Sequence, residues 1–200
     1  MSEKPERLTV LPLADQAVMP WRNGGGSTRE VARAPAEGAD FAWRVSVARI
    51  EADGPFSLFP GIDRTLWLLA GAGMDLVIDG TTVSLRSRFA SCAFPGEAVV
   101  HARLVGGPTE DLNVMVQRAG TRALTEIVSL ATDELRVCTT EGAGSDLIVA
   151  LTGELSAQSP AGTRVVLRAG DALRLDDASG LRRWILRGVS RGAALVLTFA

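Results

Sequence analysis

The chain has 200 residues, 22% of them charged and 46% apolar, with a formal net charge of -2. That composition suits one large domain or two small lobes with a real core, and argues against disorder. The charge balance gives no electrostatic case for a nucleic acid or an anionic membrane as partner.

The first residues, MSEKPERLTV, lack the apolar region of a signal peptide, and no apolar run is long enough to span a bilayer. Cys92 and Cys138 are an isolated pair without CxxC spacing, which reads as reduced thiols in a cytoplasmic protein. Lys4 is the one lysine, so no lysine is available deep in the chain for Schiff-base chemistry.

In chain order, Leu8 to Leu11 can form a first edge strand. Asn23 to Ser27 is expected to be irregular, because three consecutive glycines suit neither helix nor strand. In FAWRVSVARI (Phe41 to Ile50), apolar Phe41, Trp43, Val45 and Val47 alternate with Ala42, Arg44, Ser46 and Ala48. That period of two predicts a strand with Arg44 and Ser46 on one face. Asp79-Gly80 between GMDLVI and TTVSLR predicts a type I′ hairpin. Further strands are expected at 99–105, 112–116, 147–151, 163–167, 172–175, 181–186 and 193–199. The stretch 124–135 is the one place for a helix, although its Thr, Ile and Val content opposes that. Many short strands separated by turn signals indicate a sandwich or barrel.

Sliding the chain on itself by about 82 positions reveals a repeat. Leu69, Gly71, Gly80, Thr81, Val83, Leu85 and Arg86 meet Leu151, Gly153, Gly162, Thr163, Val165, Leu167 and Arg168 without a gap. Each copy, with a Gly-Asp step before a strand as in LRAGDALRL, resembles the double-sheet barrel of the cupins. The expected fold is therefore all-β: a bicupin with two cupin-like β-barrel lobes, residues 1–118 holding an N-terminal segment plus the first lobe and 119–200 the second, with the chain before Phe41 adding strands across the lobes. Arg64 is matched by Asp146 and Asn113 by Leu195, so any site belongs to the first lobe and the second is structural.

Cupins often bind a metal through His and Glu, but His101 is the single histidine here, and first-row metals want two or three imidazoles. No metal and no cofactor is expected. A hydrolytic triad fails on the same count, and there is no GxSxG elbow. Gly24-Gly25-Gly26 lacks the P-loop Lys-Ser/Thr and GxGxxG spacing; it reads as an anion-binding nest or as a close backbone crossing. Arg44 with Ser46, and Arg64 after Gly61, are suited to clamp a carboxylate, or else to pair with Glu30, Glu51 or Asp63. Asn113 shares a strand face with Asp111 and Met115 and can orient a ligand or satisfy a backbone group. Trp21, Trp43, Phe56 and Phe59 are residue types more often found as core than as a ligand platform.

MPWRNGGGSTREV, FAWRVSVARI, DGPFSLFPGIDR, FPGE (Phe94 to Glu97) and LVGGPTEDLNVMVQR (Leu104 to Arg118) together resemble the HutD/Ves family of bacterial cytoplasmic bicupins. The resemblance implies a metal-free fold without established catalysis. It also implies a role in histidine utilisation, sensing or sequestering an intermediate such as formylglutamate; Ves-like members are associated with cold and stress responses. Carried over by motif, its positions include Trp21, Asn23, Thr28, Glu30, Arg44, Ser46, Phe56, Ser57, Arg64, Asp111 and Asn113.

The leading expectation is a binding protein for a small acidic metabolite. Arg44 and Arg64 hold carboxylate, Ser46, Asn23 and Asn113 hydrogen-bond the acyl or amide end, and Trp21 and Phe56 wall the pocket. Thr28, Glu30 and Ser57 complete the expected ligand-binding set. A metal-independent enzyme using Glu30 as base and a protein-interaction module remain alternatives, and a homodimer stays open.

Overall fold

The structure, a computed structural model, describes residues 7–38 and 40–200; Lys4 lies outside them. The chain begins with β1 (Arg7–Leu11), one turn of 3-10 helix at Leu13–Asp15, β2 (Val18–Pro20), β3 (Gly26–Ala34) and β4 (Trp43–Ile50). Then follow β5 (Gly54–Pro55), β6 (Ile62–Ala70), β7 (Met74–Ile78), β8 (Thr81–Leu85), β9 (Ser91–Pro95), β10 (Val100–Leu104) and β11 (Thr109–Gln117). The last part contains β12 (Ala123–Leu130), β13 (Leu135–Glu141), β14 (Gly144–Thr152) and β15 (Glu154–Gln158). It ends with β16 (Arg164–Arg168), β17 (Ala172–Ala178), β18 (Leu181–Gly188) and β19 (Gly192–Phe199). No α-helix occurs among the described residues.

These strands form two compact units, Gln16–Thr121 and a second made of Met1–Asp15 with Arg122–Ala200. Each unit is a cupin lobe of two antiparallel sheets. In the first the orders are β2-β3-β4-β11-β6-β9 and β5-β10-β7-β8; in the second they are β12-β19-β14-β17-β1 and β13-β18-β15-β16. The runs β4-β11-β6-β9 and β12-β19-β14-β17 follow the same sequence of steps, as do the two smaller sheets. The duplication read from the sequence is thus a duplication of topology, with β6 and β14 offset by the same 82 positions.

Alternation along the strands builds each core between its two sheets. Ile50, Leu66, Leu68 and Phe94 from the larger sheet of the first lobe meet Met74, Leu76, Leu85, Val100 and Ala102 from the smaller one. In the second lobe Ile148, Leu173, Leu175 and Val196 meet Leu155, Leu167, Trp184 and Leu186. The Asp79-Gly80 hairpin forms as expected: both residues have positive φ, 47° and 85°, as a type I′ turn demands.

Three expectations need correction. β1 is the edge strand of the second lobe, pairing with β17 from Arg7↔Asp176 to Leu11↔Ala172, so this part of the N-terminal segment leaves the 1–118 grouping, although a strand reaching the other lobe was expected before Phe41. The stretch entertained as a helix is β12, paired along its length with β19 from Ala123↔Phe199 to Leu130↔Gly192. β-branched Thr125, Ile127 and Val128 suit a pleated surface, and Val128 and Leu130 are buried there. The irregular stretch is also shorter than expected, since β3 already begins at Gly26. A Cβ on Gly26 would lie 2.2 Å from the Arg49 carbonyl oxygen, so the missing side chain lets β3 lie against β4 there.

Candidate functional site

Register places the chemistry. On β11, Asp111, Asn113 and Met115 share one face, opposite Ala48, Ser46 and Arg44 on β4. On the other side of β11, Met115 lies opposite Arg64 on β6, and beyond β4, Glu30 on β3 lies opposite Ser46. Successive rungs of one sheet therefore carry two arginines, a serine, an asparagine and two carboxyls on the same face. The segments 20–23 and 55–59 complete the walls of a cavity of about 470 Å3 over this face.

Nine of the expected ligand-binding residues line that cavity: Trp21, Asn23, Thr28, Arg44, Ser46, Phe56, Ser57, Arg64 and Asn113. The tenth, Glu30, is not among the lining residues. Its carboxylate accepts a hydrogen bond of 2.6 Å from Arg44 Nε and is the structural partner weighed for that arginine. Asp63 and Glu97 instead bind Arg118, at 2.7 and 2.8 Å, so the FPGE motif serves to tie strand ends together.

Arg64 is the contrasting arginine. It is 6% exposed and its guanidinium has only long hydrogen bonds, 3.5 Å to Asn113 Oδ1 and 3.4 Å to the Ser57 carbonyl. The rings of Phe56, Phe59 and Phe94 stand 5.3, 5.5 and 5.0 Å from it and supply cation-π stabilisation in place of hydration. Burial lowers its pKa to about 10; the Asp111 carboxyl opposes that, and Arg44 adds to it. It remains a cation at neutral pH, with donors to spare.

Asp111 is fully buried, and neither carboxyl oxygen has a hydrogen-bond partner. Burial pushes its pKa up to about 7 against the pull of Arg64. Asp111 lies on the strand face predicted for Asn113 but stands outside the expected ligand-binding set. The same period-two argument that selected Asn113 could have found it. Phe59, Met115 and Arg22 are further lining residues outside the expected set.

Around the glycine run, Trp21 Nε1 donates to Thr28 Oγ1 at 2.8 Å and Asn23 Oδ1 accepts from the Gly25 N–H at 3.0 Å. The Gly24 N–H is taken by the Trp21 carbonyl. With these amides occupied, the run is a close backbone crossing rather than an anion nest. The Asn23 side chain holds the turn with its oxygen, and its amide nitrogen is the part left for a ligand.

At the repeat position of Arg64 the second lobe has Asp146, and there every valence is used. Asp146 accepts from Arg182 Nε and Nη2, both at 2.8 Å, from Thr140 at 2.8 Å, Trp184 at 3.0 Å and Thr198 at 3.1 Å. Burial works against its ionisation, but these donors hold its pKa below the usual carboxylate range. One lobe has a filled polar centre; the other has a hollow one with unspent cationic donors.

The donor set does not fit a metal ion. The cavity carries the guanidiniums of Arg22, Arg44 and Arg64 against one carboxyl, and among the described residues no three His, Cys, Asp or Glu side chains gather. His101 is exposed on β10. Such a set repels a cation and suits an anion. Among the described residues no helix is long and apolar enough to cross a membrane.

The HutD family profile matches residues 13–193. An uncharacterized 21.2 kDa protein from the hutC 3′ region of Pseudomonas putida is 43% identical over 110 residues, which is 54% of this chain and 58% of that protein. Protein Ves of Citrobacter koseri is 35% identical over 136 residues, 66% of this chain and 67% of that protein. Among solved structures, a conserved protein of unknown function from Pseudomonas aeruginosa PAO1 superimposes with a TM-score of 0.90 at 31% identity, covering 96% of this chain and 98% of that one. HutD from Pseudomonas fluorescens SBW25, solved in a formate condition, gives 0.81 at 31% identity, covering 96% and 99%.

Proposed function

This chain belongs to the HutD family, and from that premise we propose that its first lobe binds a small carboxylate metabolite of histidine utilisation. The lead ligand is N-formyl-L-glutamate, and the protein senses or sequesters it as a cytoplasmic binding protein. One observation carries the reading: Arg64 is a buried cation lining a cavity, without a carboxylate partner. A planar guanidinium is the fork that fits a carboxylate with two parallel hydrogen bonds, and a dry site strengthens them. Arg44, tied to Glu30, orients rather than neutralises; Ser46, Asn113 and the Asn23 amide are placed for the remaining polar atoms. The gene neighbourhood in the P. putida relative's name supports a metabolite of this pathway.

Titration calorimetry of the ligand-free protein with N-formyl-L-glutamate, glutamate, urocanate and formate tests it. Binding of a carboxylate is expected, weakened at least about thirtyfold in Arg64→Met, because removing one member of a buried charge pair costs about 2–5 kcal/mol. Absence of heat with all four, in protein shown free of co-purified ligand, overturns the reading.

A further inference from the structure

Asp111 is the group that the carboxylate reading does not use. It lines the cavity, it is wholly buried, and both of its oxygens lack a hydrogen-bond partner. Buried polar atoms in folded proteins are almost always paired, so a carboxyl left open toward a cavity marks a contact that a ligand completes. At first sight it is the wrong sign, a potential anion in an anion site.

The surrounding charges resolve this. From β6, Arg64 faces Asp111; from β4 comes Arg44, already neutralised by Glu30 on β3; from the segment after β2, Arg22 lines the exposed mouth. The buried floor thus holds one uncompensated cation, Arg64. A ligand carboxylate and an ionised Asp111 would compete for it, and two close carboxylates in a site of low dielectric do not both stay ionised. One of them must take a proton.

We propose that Asp111 binds the ligand as the neutral acid, so that one carboxylate enters the cavity together with one proton from solvent, accepting hydrogen bonds from Arg64 and from the Asp111 O–H. The bond from a carboxylic acid to a carboxylate is short and charge-assisted, and the proton remains on Asp111 until the ligand leaves. Binding by this route satisfies both buried groups at once. The inference rests on the carboxylate reading above and adds the protonation state that the site selects. Burial holds the Asp111 pKa at about 7, so it exchanges this proton in the neutral range.

Calorimetry with N-formyl-L-glutamate between pH 6 and pH 8, in two buffers of different ionisation enthalpy, reads the proton directly. No carboxylate of that ligand titrates in this window, and arginine does not either. At pH 8 about one proton should be taken up per ligand bound, and the affinity should be roughly tenfold weaker than at pH 6 by linkage. Asp111→Asn, a neutral donor of the same shape, should bind with no slope across the window and no uptake. Proton release on binding means that a ligand N–H donates to an ionised Asp111, and overturns the inference. So does pH-invariant affinity without uptake, or uptake that persists in the Asn variant. In each of those cases the carboxylate reading stands; absence of binding at every pH removes both. If Asp111→Asn fails to fold, the wild-type proton count alone decides.

Discussion

Arg64 and Arg182 are both 6% exposed, and they solve burial in opposite ways. Arg182 is locked to Asp146 by two bonds of 2.8 Å and also donates to the carbonyls of Gly142 and Gly180. Breaking such a pair strands a buried carboxylate and costs about 3–5 kcal/mol. Arg182→Ala should therefore lower the free energy of unfolding by that order in a denaturant titration, while carboxylate binding in the first lobe persists wherever the protein is folded. Arg64 has three aromatic rings and two long hydrogen bonds instead. Replacing it with Met breaks no ion pair and fills the same apolar surroundings, so Arg64→Met should be neutral or stabilising. A variant that gains stability as it loses binding marks a residue kept for its ligand. Equal destabilisation in both variants would assign Arg64 to the fold.

At the level of strands, the polar face of β4 was readable because Trp43, Val45, Arg44 and Ser46 alternate without interruption. The Asp79-Gly80 hairpin was readable because both turn residues must take positive φ. β12 was not, since Leu124 to Leu130 carries no turn signal and only its pairing with β19 settles its geometry. The open state of Asp111 was hidden for a related reason. Its rung partners Ala48 and Leu68 offer no donor, and no periodicity discloses which residues meet across a sheet. β3 was obscured by the glycine run, which reads as a break yet ends inside a strand. Gly26 is the residue that makes this possible. Gly26→Ala would force Cβ against the Arg49 carbonyl, and overpacking of this kind costs about 1–3 kcal/mol. Thermal unfolding should show that loss together with weakened binding, because Trp21 and Thr28 flank the crossing; an unchanged melting temperature would contradict the packing described for β3.

For the whole molecule, duplication followed by divergence accounts for the distribution of chemistry. The two lobes keep the same strand order, then differ at their sheet edges: β3 and β2 extend the first beyond β4, and β1 extends the second beyond β17. The extension in the first lobe brings Thr28 on β3 and Trp21 after β2 to the cavity, and Glu30 on β3 to Arg44. In the second, Leu195 stands where Asn113 does, and Asp146 with its donors fills the centre. The division was legible as a repeat offset with unlike polar positions, whereas the allegiance of β1 depended on pairing across 160 residues or more of chain, from Arg7 to Asp176.

The proposed function depends on a carboxylate entering the first lobe. Crystals grown with N-formyl-L-glutamate at pH 6 test this most directly. The predicted result is ligand density on the shared face of β4 and β11, with one carboxylate within hydrogen-bond distance of both the Arg64 guanidinium and Asp111. Density that places the carboxylate away from Arg64, or a first-lobe cavity that stays empty at saturating ligand, would contradict it.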